Sequence, residues 1–282
     1  MPLPTEISTT LLLPRPARFD MGQIHAALEA RMSTNCPPFE RLDWHQTQLL
    51  SSPDLHLQLR ARDLPLLDDR FDSALSSELA GMMHDDLSVA VARHRASVTL
   101  RVGTGPRPQP RGQAFPPPSH AIYECMLILA HTAATQLAQG CHPLAVHWAQ
   151  SDQLLSPGRF SAMGNMLFPL PLFLHPRPSC REKAGEEWIS LDVEGAQHLL
   201  DRTLSTEYAP VSLPWMMQRV YAFVAHLRAT GLAVSDGMEF ATAEGERFRV
   251  RIDERGAIRL RLEELHGKPI SPPEMDTQDF AA

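Results

Sequence analysis

Residues 103–118 read GTGPRPQPRGQAFPPP, six prolines and three glycines with almost no apolar content. Proline has no amide hydrogen to give and holds φ near −65°, so neither a helix nor a central strand passes through such a run. The segment predicts an extended, mobile loop. It serves either as a linker between an N-terminal α/β subdomain, 1–103, and a C-terminal one, 119–268, or as an insertion between a strand and the next helix of one domain. The insertion is favoured, because that next helix needs a sheet to cover. A proline-rich groove ligand is a third use, weaker than a plain solvated loop.

At 282 residues the chain is long enough for one or two domains and buries a core without metals or disulfides. Hydrophobic residues make up 43% and charged residues 21%, which excludes wholesale disorder, collagen and coiled coil. Net charge is −7, so attraction to nucleic acid or to an anionic membrane requires a local patch. Lys183 and Lys268 are the only lysines among 26 basic residues, an arginine bias expected of a GC-rich genome. Cys36, Cys125, Cys141 and Cys180 share no CxxC spacing. They predict free thiols and a cytoplasmic location. No apolar run approaches the length of a membrane span, and Ile7–Leu13 lacks the basic leader of a signal peptide.

Ile7–Leu13 reads as a strand, followed by a helix with Asp20 as its cap and Gln23 three residues on. Strands are expected at 39–50 and at 55–62, where Leu55, Leu57 and Leu59 alternate with His56, Gln58 and Arg60. A short helix after Asp72, a helix from Asp85 to His94 and a strand from Ala96 to Val102 complete the first half. In the second half, Ser119 caps a helix through Ala138 that Gly140 stops. Its core face carries Ile122, Tyr123, Met126, Leu129, Ala130, Ala133 and Leu137, and its opposite arc His120, Glu124 and His131. Strands are predicted at 144–148, 170–175 and 188–193, with a helix from Ser156 and a polar connection over 176–187. Leu213–Thr230 is the clearest helix, capped by Ser212 and ended by Gly231. Asp236-Gly237, Glu244-Gly245 and Arg255-Gly256 then mark the turns of an antiparallel meander, and residues 269–282 read as a disordered tail. The fold class is α+β, mainly antiparallel sheet with helices packed on one face, either as one compact unit or as two similar α/β subdomains.

Several strings carry a resemblance: LLLPRP before a capped helix, ARHRASVTLRVG, PLAVHWAQSDQLLSP after a long helix, and GLAVSDGMEFATAEGERFRVRI after another. Together they resemble the bacterial family named domain of unknown function 4261, over most of residues 7–262. The resemblance implies an α+β fold and brings no reaction and no residue roles.

Chemistry is sparse. His147, Ser151 and Asp152 gather where a strand ends, the residue types of a hydrolase triad, but no G-x-S-x-G elbow surrounds Ser151. A histidine beside Trp148 on an apolar strand is more often a packed core residue. His84, Asp85 and Asp86, or His120 with Glu124 at i,i+4 spacing, offer metal ligands. His131 lies eleven residues past His120, about 16 Å along a helix axis, too far to share their ion. A solvated polar stripe is the better reading. No HExxH string and no second clustered ligand pair is present, and no Walker string, so neither a metal nor a nucleotide or other cofactor is expected.

One surface pattern stands out. Arg247, Arg249 and Arg251 alternate with Phe248, Val250 and Ile252, and beyond the Arg255-Gly256 turn Arg259 and Arg261 alternate with Ile258, Leu260 and Leu262. Strand geometry sends all five arginines to one face, where like charges repel and call for anions. Those anions are either the protein's own, from Glu239 to Glu264, or a partner's. The expectation is a non-catalytic bacterial protein that acts by contact with another protein. A hydrolase centred on 147–152 is one alternative, and anion or nucleic-acid binding through the arginine hairpin is the other.

Overall fold

A computed structural model of the chain describes residues 2–32, 38–44, 47–77, 79, 87–108, 116–183, 185–265 and 267–270. His84, Asp85 and Asp86 lie outside the described residues, as do Cys36, the middle of the proline-rich run and residues 271–282 of the expected tail. The chain divides into two compact units, Met1–His175 and Pro176–Ala282.

In the first unit the strands are β1 (Glu6–Leu13), β2 (Glu40–Trp44), β3 (Thr47–Ser51), β4 (Leu55–Arg62), β5 (Ala96–Thr104), β6 (Ala145–Trp148) and β7 (Gln153–Leu155). They form one sheet in the order β2-β3-β4-β5-β1-β6-β7, every pair antiparallel. β1 is the hub, since Leu11 pairs with Val98 on one side and with Val146 on the other. Strands on both sides of the proline-rich run therefore belong to one sheet, and the break between units falls at His175/Pro176 instead of within 104–118. The start of that run is fastened down. Gly105 N donates to Asp54 O at 2.6 Å, Ser51 Oγ donates to Pro106 O at 2.8 Å, and His56 Nδ1 bonds Gly105 O at 2.9 Å. Gly103 permits this closure, because a Cβ there would stand 2.6 Å from the His56 ring.

Helices of this unit are α1 (Met21–Met32), α2 (Asp72–Leu75), α3 (Leu87–Arg93), α4 (His120–Cys141), α5 (Pro157–Ala162) and α6 (Leu170–Phe173). Asp20 caps α1 by accepting from Gly22 N at 2.8 Å. Two of the expected ends move. α4 runs through Gly140 to Cys141 and turns at His142, whose φ is +48° and whose amide still reaches Ala138 O. Residues 170–173 are helical, not extended, because Pro171 sits in the first turn, where a missing amide costs nothing. α4 packs on the apolar face of the sheet, against β1, β5 and β4, and α1 packs on α4. On the other face, Leu66, Phe71, Ala74, Leu87 and Val91 of the segment from 66 through α3 cover Leu12, Ala145 and Leu154. Helical cover thus reaches both faces near β6 and leaves the middle of β4 and β5 open on one.

The second unit holds β8 (His175–Lys183), β9 (Glu186–Glu194), β10 (Leu204–Thr206), β11 (Glu239–Ala241), β12 (Arg247–Ile252), β13 (Ile258–Leu265) and β14 (Lys268–Pro269). The order is β11-β12-β13-β10-β9-β8, with β14 on β13; β10 and β13 are parallel, and β9–β10, β11–β12, β12–β13 and β13–β14 are antiparallel. The polar connection expected over 176–187 is largely β8. Residues 179–183 are all exposed, and Pro176 and Pro178 suit a sheet edge, so no alternation announces the strand. Two helices, α7 (Ala196–Leu200) and α8 (Leu213–Thr230), accompany this sheet. α8 ends at Gly231, φ +63°, as its sequence demands, whereas Ser212 makes no side-chain cap.

α8 is pinned to the sheet by charge as well as by packing. Glu246 is fully buried, accepting from Arg219 Nη2 at 2.7 Å and from the Thr242 hydroxyl. Arg219 lies over the Trp215 ring, which stacks on Phe248. Removing one partner strands a buried charge and costs about 3–5 kcal/mol, whereas removing both costs far less. Arg219→Met is expected to lower the urea midpoint of the second unit by the equivalent of about 3 kcal/mol, and Arg219→Met with Glu246→Leu to regain most of it. Equal losses in the single and double variants would refute the pairing.

Candidate functional site

The strand end at 147–152 brings together two of its three candidates. His147 points to the same side of the sheet as Thr10, its partner on β1, and meets the edge of Phe71 with ring centroids 5.3 Å apart. Its Nε2 lies 3.3 Å from Asp152 Oδ1, and both side chains are half-buried. Asp152 reaches this position from a left-handed backbone, φ +45°, at the end of the turn after β6. Non-glycine residues in that conformation are strained and held by their surroundings.

Ser151 goes the other way. It is buried, its hydroxyl donates to Leu172 O at 2.7 Å, and it accepts from Gln153 Nε2 at 2.8 Å. Its carbonyl receives His175 Nδ1 at 2.9 Å. Leu172 belongs to α6, whose Phe173 packs on Trp148, and Trp148 alternates with His147 across the sheet. The serine proton is therefore committed to a structural carbonyl rather than to the imidazole. The hydroxyl paired across from His147 is that of Thr10, itself 3.4 Å from the Thr99 hydroxyl. The pair His147–Asp152 can hold and orient a proton, while the hydrolase expectation lacks its nucleophile.

The helix stripe is divided between surface and core. His120 is exposed and Glu124 half-buried on α4, but His131 is fully buried, contrary to its expected place on a wet arc. The edges of Phe160 on α5 and Phe173 on α6 meet its ring, with centroids 6.0 and 6.5 Å away. α5 and α6 cover an arc that a sheet alone would leave in water. Among the described residues, no three His, Cys, Asp or Glu side chains are grouped to hold a metal ion. Cys125, Cys141 and Cys180 are free thiols, and burial pushes those of Cys125 and Cys141 up.

The arginine hairpin is largely neutralised from within. Arg247 Nη2 lies 2.7 Å from Glu264, Arg249 bonds Glu263 at 2.7 Å and Glu239 at 2.9 Å, and Arg261 stands 3.8 Å from Glu207. The hydrogen bond from Arg249 holds the Glu263 carboxyl below its usual range. Arg251 and Arg259 are the exception. They face each other across β12 and β13, both exposed, with Asp253 at 3.6 Å from Arg259 and no acid paired with Arg251 among the described residues.

Missed by the sequence is a second arginine group, on the open face of the first sheet. Arg60 and Arg62 on β4 and Arg101 on β5 are exposed on one side, with Arg95 just before β5. Single-strand alternation marks each residue separately, and only the pairing of β4 with β5 unites them. Among the described residues, no helix is long and apolar enough to cross a membrane. Comparison of the chain with family models, curated proteins and solved structures returned no match, so the resemblance to family 4261 adds no residue roles.

His131 yields a test of its surroundings. Burial first, and the Arg31 charge second, lower its pKa from 6.5 to about 4. An imidazole that stays neutral in the fold while the unfolded chain takes up a proton loses stability as the pH falls. Its contribution is complete above pH 6.5 and is lost toward and through pH 4, in all roughly 3 kcal/mol at 1.36 kcal/mol per unit. The urea midpoint of the first unit is expected to drop between pH 7 and pH 5, and to drop less in His131→Leu. Parallel pH profiles for the two proteins would show the imidazole to be solvated.

Proposed function

We propose that this protein is non-catalytic and works by binding another protein through Arg251 and Arg259 on its C-terminal hairpin. One observation carries the reading: two exposed guanidinium groups stand directly opposite each other, Arg251 with no acid among the described residues and Arg259 with only Asp253 at 3.6 Å, on a strand pair where Arg247 and Arg249 are closely matched to carboxylates. A like-charged cross-strand pair costs stability. Its cheapest remedy is a carboxylate at one of the two positions, and the sequence instead keeps both cations. A site that retains an unfavourable pair on a rigid frame is arranged for an external anion. The matched pairs around it fix the hairpin, so an acidic protein surface meets the two guanidinium groups pre-oriented.

Two other readings are weaker. Nucleic-acid binding by this hairpin would have to break Arg247, Arg249 and Arg261 away from acids they already hold. Hydrolysis at 147–152 would need a nucleophile other than Ser151. The proposed setting is a reducing bacterial cytoplasm, supported by the free thiols and by the arginine bias.

Arg251→Glu separates the reading from a merely solvated face. Opposing Arg259 with a carboxylate is expected to raise stability by about 0.5 kcal/mol, read as a higher urea midpoint. The same change is expected to abolish crosslinking of a photoreactive group at position 253 to an acidic partner in the native cell. A variant that is destabilised, or that still crosslinks to the same protein, would overturn the proposal.

A further inference from the structure

The open face of the first sheet is a different kind of surface. Over β4, β5 and β1, alternation places Gln58, Arg60 and Arg62, then Ser97, Thr99 and Arg101, then Glu6, Ser8 and Thr10 on one side. All nine are polar. In register, Thr99 is flanked by Arg60 and Thr10, and Arg101 by Gln58 and Ser8. Arg95 extends the β5 row by one more position, its amide bonded to Leu13 O and its side chain exposed.

The cations of this face are under-matched. Arg101 has Glu6 at 3.6 Å, and Arg95 turns its guanidinium to the carbonyls of Ala92 and His94. Arg60 and Arg62 hold no acid among the described residues, although the exposed Asp63 follows directly in sequence. The contrast with the hairpin, where four of five arginines have an acid within 4 Å and Arg247 and Arg249 hold theirs at 2.7 Å, is the central observation. On the reverse side of the same strands Leu57, Leu59, Val98, Leu100 and Val102 are buried, which holds the guanidinium stems on a fixed frame.

We propose that this face binds the phosphate backbone of single-stranded nucleic acid. A protein partner needs apolar anchors at the centre of its contact, and this face offers none. A phosphate backbone needs only cations and hydrogen-bond donors. Arg60 and Arg62 stand about 7 Å apart along β4 at 3.4 Å per residue, with Thr99 and Ser8 as neutral hydroxyl donors beside the row. Guanidinium groups take phosphate oxygens two at a time. No aromatic ring lies on the open positions, so bases are not stacked and the binding is independent of sequence. Charge of −7 over the whole chain does not oppose this, since a patch acts within a Debye length of about 8–10 Å.

Fluorescence anisotropy with a labelled oligothymidylate tests the proposal. Four phosphate contacts to a single strand predict a slope of log K against log salt near −3, and a loss of about 50-fold between about 50 and 200 mM salt. Arg60→Glu with Arg62→Glu is expected to weaken binding at least tenfold, with circular dichroism and melting unchanged because both side chains are exposed. Arg101→Gln provides a second, milder loss should the double variant unfold, and Arg255→Glu, at an exposed turn of the second unit, should bind as the parent does. Absence of binding at low salt would overturn the proposal, as would binding insensitive to the changes at positions 60, 62 and 101. Equal competition by polyglutamate would overturn it in favour of an acidic protein.

Discussion

β1 is the constraint on which the first unit rests. It is hydrogen-bonded on both edges, to β5 and to β6, so its two faces must both be resolved by neighbours distant in sequence. Ile7, Leu11 and Leu13 commit one face to the apolar layer beneath α4. Ser8 and Thr10 commit the other to a polar face, which is covered at Thr10 and Leu12, near the helices around Phe71, and open at Ser8. A slip of one residue would exchange these faces along the whole strand. The same register therefore decides the core, the position of His147 opposite Thr10, and the gathering of Arg60 and Arg101 across β5.

Much of this was legible in residue order. The strand at 7–13, the alternation at 55–62, the helix at 213–230 with its Gly231 stop and the three glycine turns follow from local chemistry, and the structure contains them. The illegible parts share a cause in what lies beyond the local segment. β8 carries no alternation because it is an exposed edge, α6 is hidden behind two prolines, and His131 is buried by helices that no projection of α4 includes. The proline run was ambiguous for the same reason. Only the bonds from β6 to β1 show that the chain returns to the sheet it left.

Of the candidate site, local pattern exposed the ingredients and misjudged their arrangement. His147 and Asp152 meet as their proximity in sequence allows, yet Ser151 between them turns into the core. Adjacent residues in a tight turn seldom point alike, and a left-handed Asp152 sharpens the divergence. The hairpin arginines were conspicuous because their alternation with apolar residues is unbroken. Their acids were visible too, but not which arginine each would reach. Conspicuous periodicity here marks a face that satisfies itself, while the sparser set on β4 and β5 remains under-matched.

That difference bears on how charge is used in the two units. An ion pair at an exposed site gains little net energy, because its attraction is nearly balanced by lost hydration and by side-chain ordering. Arg247–Glu264 and Arg249–Glu263 therefore act mainly to orient the hairpin and to take Arg247 and Arg249 out of the mutual conflict, leaving Arg251 and Arg259 facing each other. On the first sheet the arginines are spread over two strands with Thr99 between them, so less repulsion has to be relieved and fewer carboxylates are present to relieve it. Spacing sets whether a row of cations must be answered from inside the protein. Where it need not be, the cost of keeping the charges free is small, and an anion from outside finds them unoccupied.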